Sequence, residues 1–510
     1  MYTQLEKVGS PNLIQIAETE SYERLNNEYA LKKYGEIDGI PYSNWIELVK
    51  EEEVKGTNKI KRSYNLKPME LSNFIKNCLN YIFVRNESTE NAIIYVYKNG
   101  YYNEVSEEEF KGFIKTFIPY PLRKSKDINE IYFDLTTEMN FVKYDDLNND
   151  ENIINFQDGM LNLKTLELMP HSPKFLSTIQ IPAKYSEIKA AEGKEPVEFN
   201  KYMMTLLDGN VEDYLLILQV IGLVISNIKC YKTKKALFLI GEGDTGKSVI
   251  KRLAEVLVGQ KNISTADLDT LNGRFGTSLV YQKRLVGCND MSFQTVKDMS
   301  IFKQLTGGDT IMIEFKNRNS FSYLFKGFLW FNCNSYPHFG GDTGKWVYDR
   351  IMPIYCKNVI PDNKKDPDLF DKIYAEKNEI LASVIPALKQ LIDNKYRFTE
   401  SDDVKENREK YKLENNTLLS FINECCEINE DVLPGVRLKR KVFNEAYDAW
   451  IKIKNNNRGK LSSREINNTL RREFDEKYVK SNGDWYMEKI LLTPEAINEL
   501  GIYTGNSRTE

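Results

Sequence analysis

Four short apolar runs divide the middle of the chain: Lys234–Ile240 (KKALFLI), Leu285–Cys288 within RLVGCNDM, Phe325–Asn334 (FKGFLWFNCN) and the end of Trp346–Tyr355 (WVYDRIMPIY). Runs of this length, closed by a glycine or a polar residue, predict strands. After the first run the apolar positions change period. Val249, Ile250, Leu253, Leu257 and Val258 recur at helical spacing, so the chain passes from strand through a glycine loop into a helix. Upstream, the pattern predicts helices at Leu13–Tyr34, Met69–Ile82 and about Phe199–Ile228. It also predicts a strand pair, Ile93–Tyr97 and Tyr101–Glu104, closed by the hairpin signal Asn99-Gly100. Asn155–Tyr185, broken by Asp158-Gly159, Pro170 and Pro173, reads as turns and short strands. Downstream, PDNKKDPD (Pro361–Asp368) reads as a linker. Helices are expected over Leu369–Asp393, and a polar boundary lies near Thr399–Asp403.

Composition narrows this picture. The 510 residues are 41 % hydrophobic and 28 % charged, as in globular proteins with several cores. The longest apolar stretch, Leu215–Ile225 with Gln219 inside it, is too short for a membrane span and predicts a buried helix. No secretion signal is visible in MYTQLEKVGS, so a cytoplasmic protein is expected, without membrane association. Seven scattered cysteines without a CxxC pair, and only two histidines, argue for reduced, mostly buried thiols rather than a zinc site or a disulfide framework. The acidic patch Asp145, Asp146, Asp150 and Glu151 reads as a solvated loop. The net charge of −4 conceals an asymmetry. Arg437–Lys480 holds 13 Lys/Arg against six Asp/Glu, which is +7, leaving −11 for the rest. A basic segment of this kind points to a module that faces nucleic acid.

The loop between the first strand and its helix is GEGDTGKS: Gly241, Glu242, Gly243, Asp244, Thr245, Gly246, Lys247 and Ser248. This is G-x-x-x-x-G-K-S in its strand–loop–helix setting. The glycines let backbone N–H groups converge on phosphate oxygens, and the helix start adds partial positive charge. Lys247 is expected to reach the β- and γ-phosphates and Ser248 to ligate magnesium. Such a site needs an acid at a neighbouring strand tip, and Asp290 supplies it, whether by holding magnesium or by activating water. Most such motifs end in two acids; here the first position is Asn289. Asn334, ending the third run, can orient water or simply form a turn. Arg350, before the fourth, can reach a neighbouring subunit's γ-phosphate or form a surface ion pair.

The order GEGDTGKS, RLVGCNDM, FKQLTGGD, LWFNCNSYP, YDRIMPI resembles the superfamily 3 helicases of the phage/plasmid primase-helicase family, most closely the replication initiators of staphylococcal pathogenicity islands. FQDGMLNLKTLELMPHSP is similar to the segment that precedes the helicase there. The resemblance implies an α/β AAA+ P-loop ATPase that assembles as a homohexameric ring around DNA, with ATP and Mg2+ between subunits. By it, Lys247 and Ser248 match the Walker A residues, Asp290 the second Walker B acid, Asn334 the sensor asparagine and Arg350 the arginine finger. It further implies that Lys316 and Arg318, on a hairpin between Thr310–Phe315 and Ser320–Phe325, grip phosphates in the ring channel.

The expected division is a mixed α+β N-terminal domain (1–198), the AAA+ ATPase (199–395) and a winged-helix domain (396–510). In the last, a helix capped by Ser462 or Ser463 buries Ile466, Leu470 and Phe474. Arg464, Asn467, Asn468, Arg471 and Arg472 lie largely off that face, and Arg and Asn are the side chains that read guanine and adenine edges. Asn482-Gly483 with Trp485-Tyr486 reads as the wing. The expected function is ATP-driven unwinding at a replication origin. The competing readings are an initiator whose ATPase only controls assembly and an AAA+ remodeller of protein substrates.

Overall fold

The computed structural model describes residues 36–37, 40–41, 44–56, 60–85, 93–137, 141–291, 295–296, 298–316, 319–335, 337–339, 345–428, 437–454 and 460–502. The expected helix at Leu13–Tyr34 lies outside them.

The N-terminal third is α+β. A hairpin, Ile46–Glu53 with Ile60–Leu66, leads into a helix, Pro68–Cys78. That helix stops earlier than the apolar pattern suggests, because Tyr81–Val84 (YIFV) is aromatic and β-branched and pairs as a strand with Ile93–Lys98. Ile93–Lys98 also pairs with Tyr101–Val105 across the Asn99-Gly100 turn, both of whose residues have positive φ. Trp45, Leu71, Phe74, Phe83, Phe110, Phe113 and Leu135 form a core of their own. Ile153–Phe156, Gly159–Asn162 and Leu168–Met169 make a second small sheet in FQDGMLNLKTLELM. Of the neighbouring acidic patch, Asp145 and Asp146 are exposed, as a solvated loop implies, and the other two acids are bonded. Glu151 pairs with Lys232, and Asp150 accepts from the Asn152 amide at 3.0 Å. No cluster of three metal-ligating side chains occurs among the described residues.

The helical region expected at 199–228 consists of two helices, α1 (Val197–Leu206) and α2 (Val211–Ile225). Asp208 and Gly209 take positive φ between them, and the Asn210 side chain caps α2 by accepting from the amides of Glu212 and Asp213. Next come β1 (Ala236–Ile240), α3 (Lys247–Val258), β2 (Ile263–Thr265), β3 (Leu285–Gly287), α4 (Ser300–Gly307), β4 (Phe328–Cys333) and β5 (Ile351–Tyr355). These five strands form one parallel sheet in the order β2-β3-β4-β1-β5. Every residue of β1 and β4 is buried, as a central parallel strand covered on both faces requires. Gly287 permits the tight approach of β3 to β4, since a Cβ there would sit 1.7 Å from the Trp330 carbonyl oxygen. The sheet is therefore α/β and parallel, with all five carboxyl ends on one edge. Its strand order reverses at β1, where open α/β sheets form their ligand crevices.

α5 (Lys377–Asp393) packs beside α2, and α6 (Asp402–Asn415) packs on β5 and the strand edge. Arg408 Nε donates to the Ile351 carbonyl at 2.9 Å, and Tyr411 Oη to that of Pro337 at 2.5 Å. The boundary expected at 395/396 thus falls between α5 and α6, whereas the apolar core of the C-terminal unit begins at Leu418. That unit contains α7 (Arg440–Ile453), α8 (Ser463–Phe474) and a sheet of three strands, 438–439, 484–487 and 478–481 in that order. Ser462 and Glu465 form a capping box at α8. Asn482 and Gly483, both at positive φ, close the hairpin. The Glu476 carboxylate accepts from the amides of Glu488, Lys489 and Ile490 and pins the hairpin's base. Among the described residues no helix is long and apolar enough to cross a membrane.

Candidate nucleotide-binding site

The loop Gly241–Gly246 leaves β1 at the carboxyl edge of the sheet and ends where α3 begins. Its curl depends on its glycines. Gly246 has φ 93°, and a Cβ at Gly241 would stand 2.3 Å from the Cys356 carbonyl oxygen. Asp244 has φ 63° at the loop's crest. Lys247 Nζ donates to the carbonyls of Gly241 and Glu242, both at 2.7 Å, and to Thr245 Oγ1 at 2.9 Å. Burial lowers the Lys247 pKa, against the pull of the nearby thiols Cys356 and Cys333 and the carboxylates Asp290 and Asp244. Ser248, in the first turn of α3, is exposed.

Asp290 follows β3 and is exposed, as is Asn334 after β4. Both lie at the carboxyl edge, β3 and β4 being parallel neighbours of which β4 adjoins β1. The loop, Asp290 and Asn334 therefore share one end of the sheet. Arg350 does not. It precedes β5, whose first residue pairs with Ala236, so it stands at the opposite end from the loop. There its Nη1 donates to Thr306 Oγ1 at 2.8 Å and to the Lys303 carbonyl at 3.1 Å, which holds the guanidinium at the C-terminal end of α4.

Three groups at this edge were not legible beforehand. Asn332, fully buried in β4, donates to the Lys247 carbonyl at 2.9 Å and to Asn289 Oδ1 at 3.3 Å, and accepts from Trp330 Nε1 at 3.0 Å. Asn289, in the place where an acid is usual, is thus tied to the strand beside the loop. A polar residue inside a wholly buried strand was the available signal for Asn332. Tyr202 of α1 carried no such signal. Its buried hydroxyl donates to the Gly246 carbonyl at 2.8 Å and accepts from the Ile250 amide at 3.1 Å, joining loop to helix. The third is Lys365, 2.9 Å from Asp244. Tyr202→Phe leaves both backbone groups without this partner. It should cost about 1–3 kcal/mol of stability, the usual range for an abandoned buried partner, and weaken nucleotide binding severalfold. Urea melts and ATP titration check this, and an unchanged midpoint would refute the bracing role.

Of the residues expected to meet DNA, Lys316 is exposed in the turn after the strand Thr310–Ile313, which pairs with Phe321–Leu324; Arg318 lies outside the described residues. On α8, Arg464, Asn468 and Arg471 are exposed, and Arg472 donates to Glu473 at 2.9 Å. Asn467 Oδ1 accepts from Tyr478 Oη at 2.7 Å, which couples α8 to the hairpin. Ile466, Thr469 and Leu470 form the buried face, with Phe474 half-buried.

Two family models match the chain. Residues 239–350 match a family of unknown function (DUF5906), a span that begins at the end of β1 and closes on Arg350. Residues 84–205 match the D5 N terminal like family. Among solved structures it is similar to two apo forms of the NrS-1 C-terminal region, with TM-scores of 0.45 and 0.44 and 13 % identity in each case. Each alignment covers 83 % of this chain and 99 % of the other.

Proposed function

We propose that this chain is an ATP-driven DNA motor of superfamily 3 that initiates replication as a homohexameric ring. The observation carrying the proposal is the convergence of Gly241–Ser248, Asp290 and Asn334 at the switch point of a parallel sheet ordered β2-β3-β4-β1-β5, with Arg350 held at the far end. This order suits an AAA+ core, and the division of groups between two ends suits a site completed by a neighbouring protomer. The exposed Ser248 hydroxyl and Asp290 carboxylate suit magnesium, which takes one or two protein oxygens and keeps water and phosphate for the rest. In this reading Lys247 exchanges its loop carbonyls for phosphate oxygens, Asn334 orients the attacking water and Arg350 of the next subunit stabilises the charge that develops. ATP bound with Mg2+ supplies the free energy.

The C-terminal helices and hairpin support a winged-helix reading, in which α8 presents Arg464, Asn468 and Arg471 to an origin duplex. Lys316 would face the channel with Arg318. Cations that meet phosphates make binding fall with salt, each one adding about one to the slope of log affinity against log salt. Arg464→Ala with Arg471→Ala should therefore weaken duplex binding about tenfold or more and flatten that slope by up to about two. The decisive assay is strand displacement on 5′- and 3′-tailed substrates. ATP hydrolysis without unwinding of either would replace the motor by an ATPase that only controls assembly, and stimulation by unfolded protein instead of single-stranded DNA would indicate a remodeller.

A further inference from the structure

The phosphate loop carries an electrostatic liability. Glu242 and Asp244 are both acidic and both exposed, and with Lys247 they leave the loop at a formal charge of −1 where a polyphosphate is to bind. The cation that offsets this comes from the segment after β5. The Ile360 amide donates to the Asp244 carbonyl at 3.0 Å, so backbone docks on backbone. Beyond it, Lys365 Nζ lies 2.9 Å from Asp244 Oδ2 and 2.7 Å from Asp362 Oδ1. The stretch that reads as a linker is in fact moored to the loop's crest. Exposed ion pairs of this kind add little to stability, so the charge of Lys365 counts for an anion arriving at the loop more than for the fold.

We propose that Lys365 is a positioning residue of the nucleotide loop: it neutralises Asp244 and so makes the loop accept the polyphosphate of a nucleoside triphosphate. This rests on the reading of Gly241–Ser248 as a phosphate loop. It assigns no contact between Lys365 and the nucleotide, only the removal of a repulsion. A unit charge within about one Debye length of a polyphosphate, ~8–10 Å at ordinary ionic strength, acts on binding and is screened by added salt.

The test is a calorimetric titration of the full chain with ATP and magnesium at low and high salt. Four variants are compared with wild type: Lys365→Gln, Lys365→Arg, Asp244→Asn, and Lys365→Gln combined with Asp244→Asn. Lys365→Gln should weaken binding about tenfold at low salt and less at high salt, while Lys365→Arg stays near wild type. Asp244→Asn should bind tighter than wild type, and the double variant should recover most of what Lys365→Gln lost. Unchanged affinity in Lys365→Gln overturns the inference. So does a double variant as weak as Lys365→Gln, because a lysine that touches the nucleotide or merely shapes the segment is not rescued by removing the acid. Wild-type chain that binds no ATP removes the phosphate-loop reading itself, a result separate from either.

Discussion

Lys247→Ala should lower ATP turnover by about 10²–10³-fold or more, the usual effect of deleting one preorganised donor at a site of developing charge, with retention of bound nucleotide falling too. The ammonium is held by two loop carbonyls and the Thr245 hydroxyl, all within 2.9 Å, so it already stands among the groups that would surround a phosphate. An alanine removes the cation and leaves those oxygens facing one another, with Glu242 and Asp244 alongside. The loop would then repel what it is proposed to hold. Its glycine geometry should survive, because the Gly241 amide donates to the Cys333 carbonyl at 3.2 Å and the Gly246 carbonyl accepts from Tyr202. A melting temperature near that of wild type with turnover lost is therefore the expected pair of results. Turnover that persists in the variant would remove the site. Steady-state phosphate release with and without single-stranded DNA, beside a thermal melt, makes both measurements.

How much of this was legible beforehand follows from how local each signal is. The loop could be read because glycine, lysine and serine stand at fixed offsets within eight residues, and the strand before and the helix after declare themselves by period. The hairpins at Asn99-Gly100 and Asn482-Gly483 could be read for the same reason: two adjacent residues that tolerate positive φ dictate the turn. The helix expected over Met69–Ile82 was overestimated because apolar spacing cannot distinguish the end of a helix from a strand whose partner lies ten residues on; pairing with Ile93–Lys98 settles it. The sheet order was out of reach altogether. Insertion of β1 between β4 and β5 joins residues about a hundred positions apart, and no local pattern encodes it. The same holds for Tyr202, 44 residues from the loop glycine it braces, and for Lys365, which composition alone assigned to a linker. The α8 surface was readable as an amphipathic helix. That Asn467 is committed to Tyr478 was not, since it depends on where the hairpin folds back.

Arg350→Ala should abolish hydrolysis by about 10³-fold or more, the range for loss of an arginine finger, while nucleotide binding stays near wild type, and the defect should be repaired by a protein that is itself inactive. β5 runs parallel to β1 with Ala236 opposite Ile351 and Ile240 opposite Tyr355. Arg350, level with position 235, and the loop's first glycine, Gly241, are thus six positions apart along the strand direction, roughly 20 Å at ~3.3 Å per residue. A guanidinium held by Thr306 and the Lys303 carbonyl at one end of the sheet cannot serve the loop at the other end of the same sheet. If it acts on a phosphate, that phosphate belongs to another copy, through a head-to-tail contact that a ring closes. Lys247→Ala chains keep their arginine and lack the loop's cation; Arg350→Ala chains are the reverse. Mixed in equal amounts and allowed to co-assemble, they create interfaces in which an intact loop faces an intact arginine, roughly a quarter of the total by random placement in a cyclic ring. Turnover in the mixture should rise well above the residual level of either variant alone. A mixture that co-assembles, binds ATP and stays inactive would mean that no interface is completed this way. Arg350 would then act only by holding α4 against the sheet, which a melt of Arg350→Ala would reveal as a loss of stability in place of a loss of chemistry.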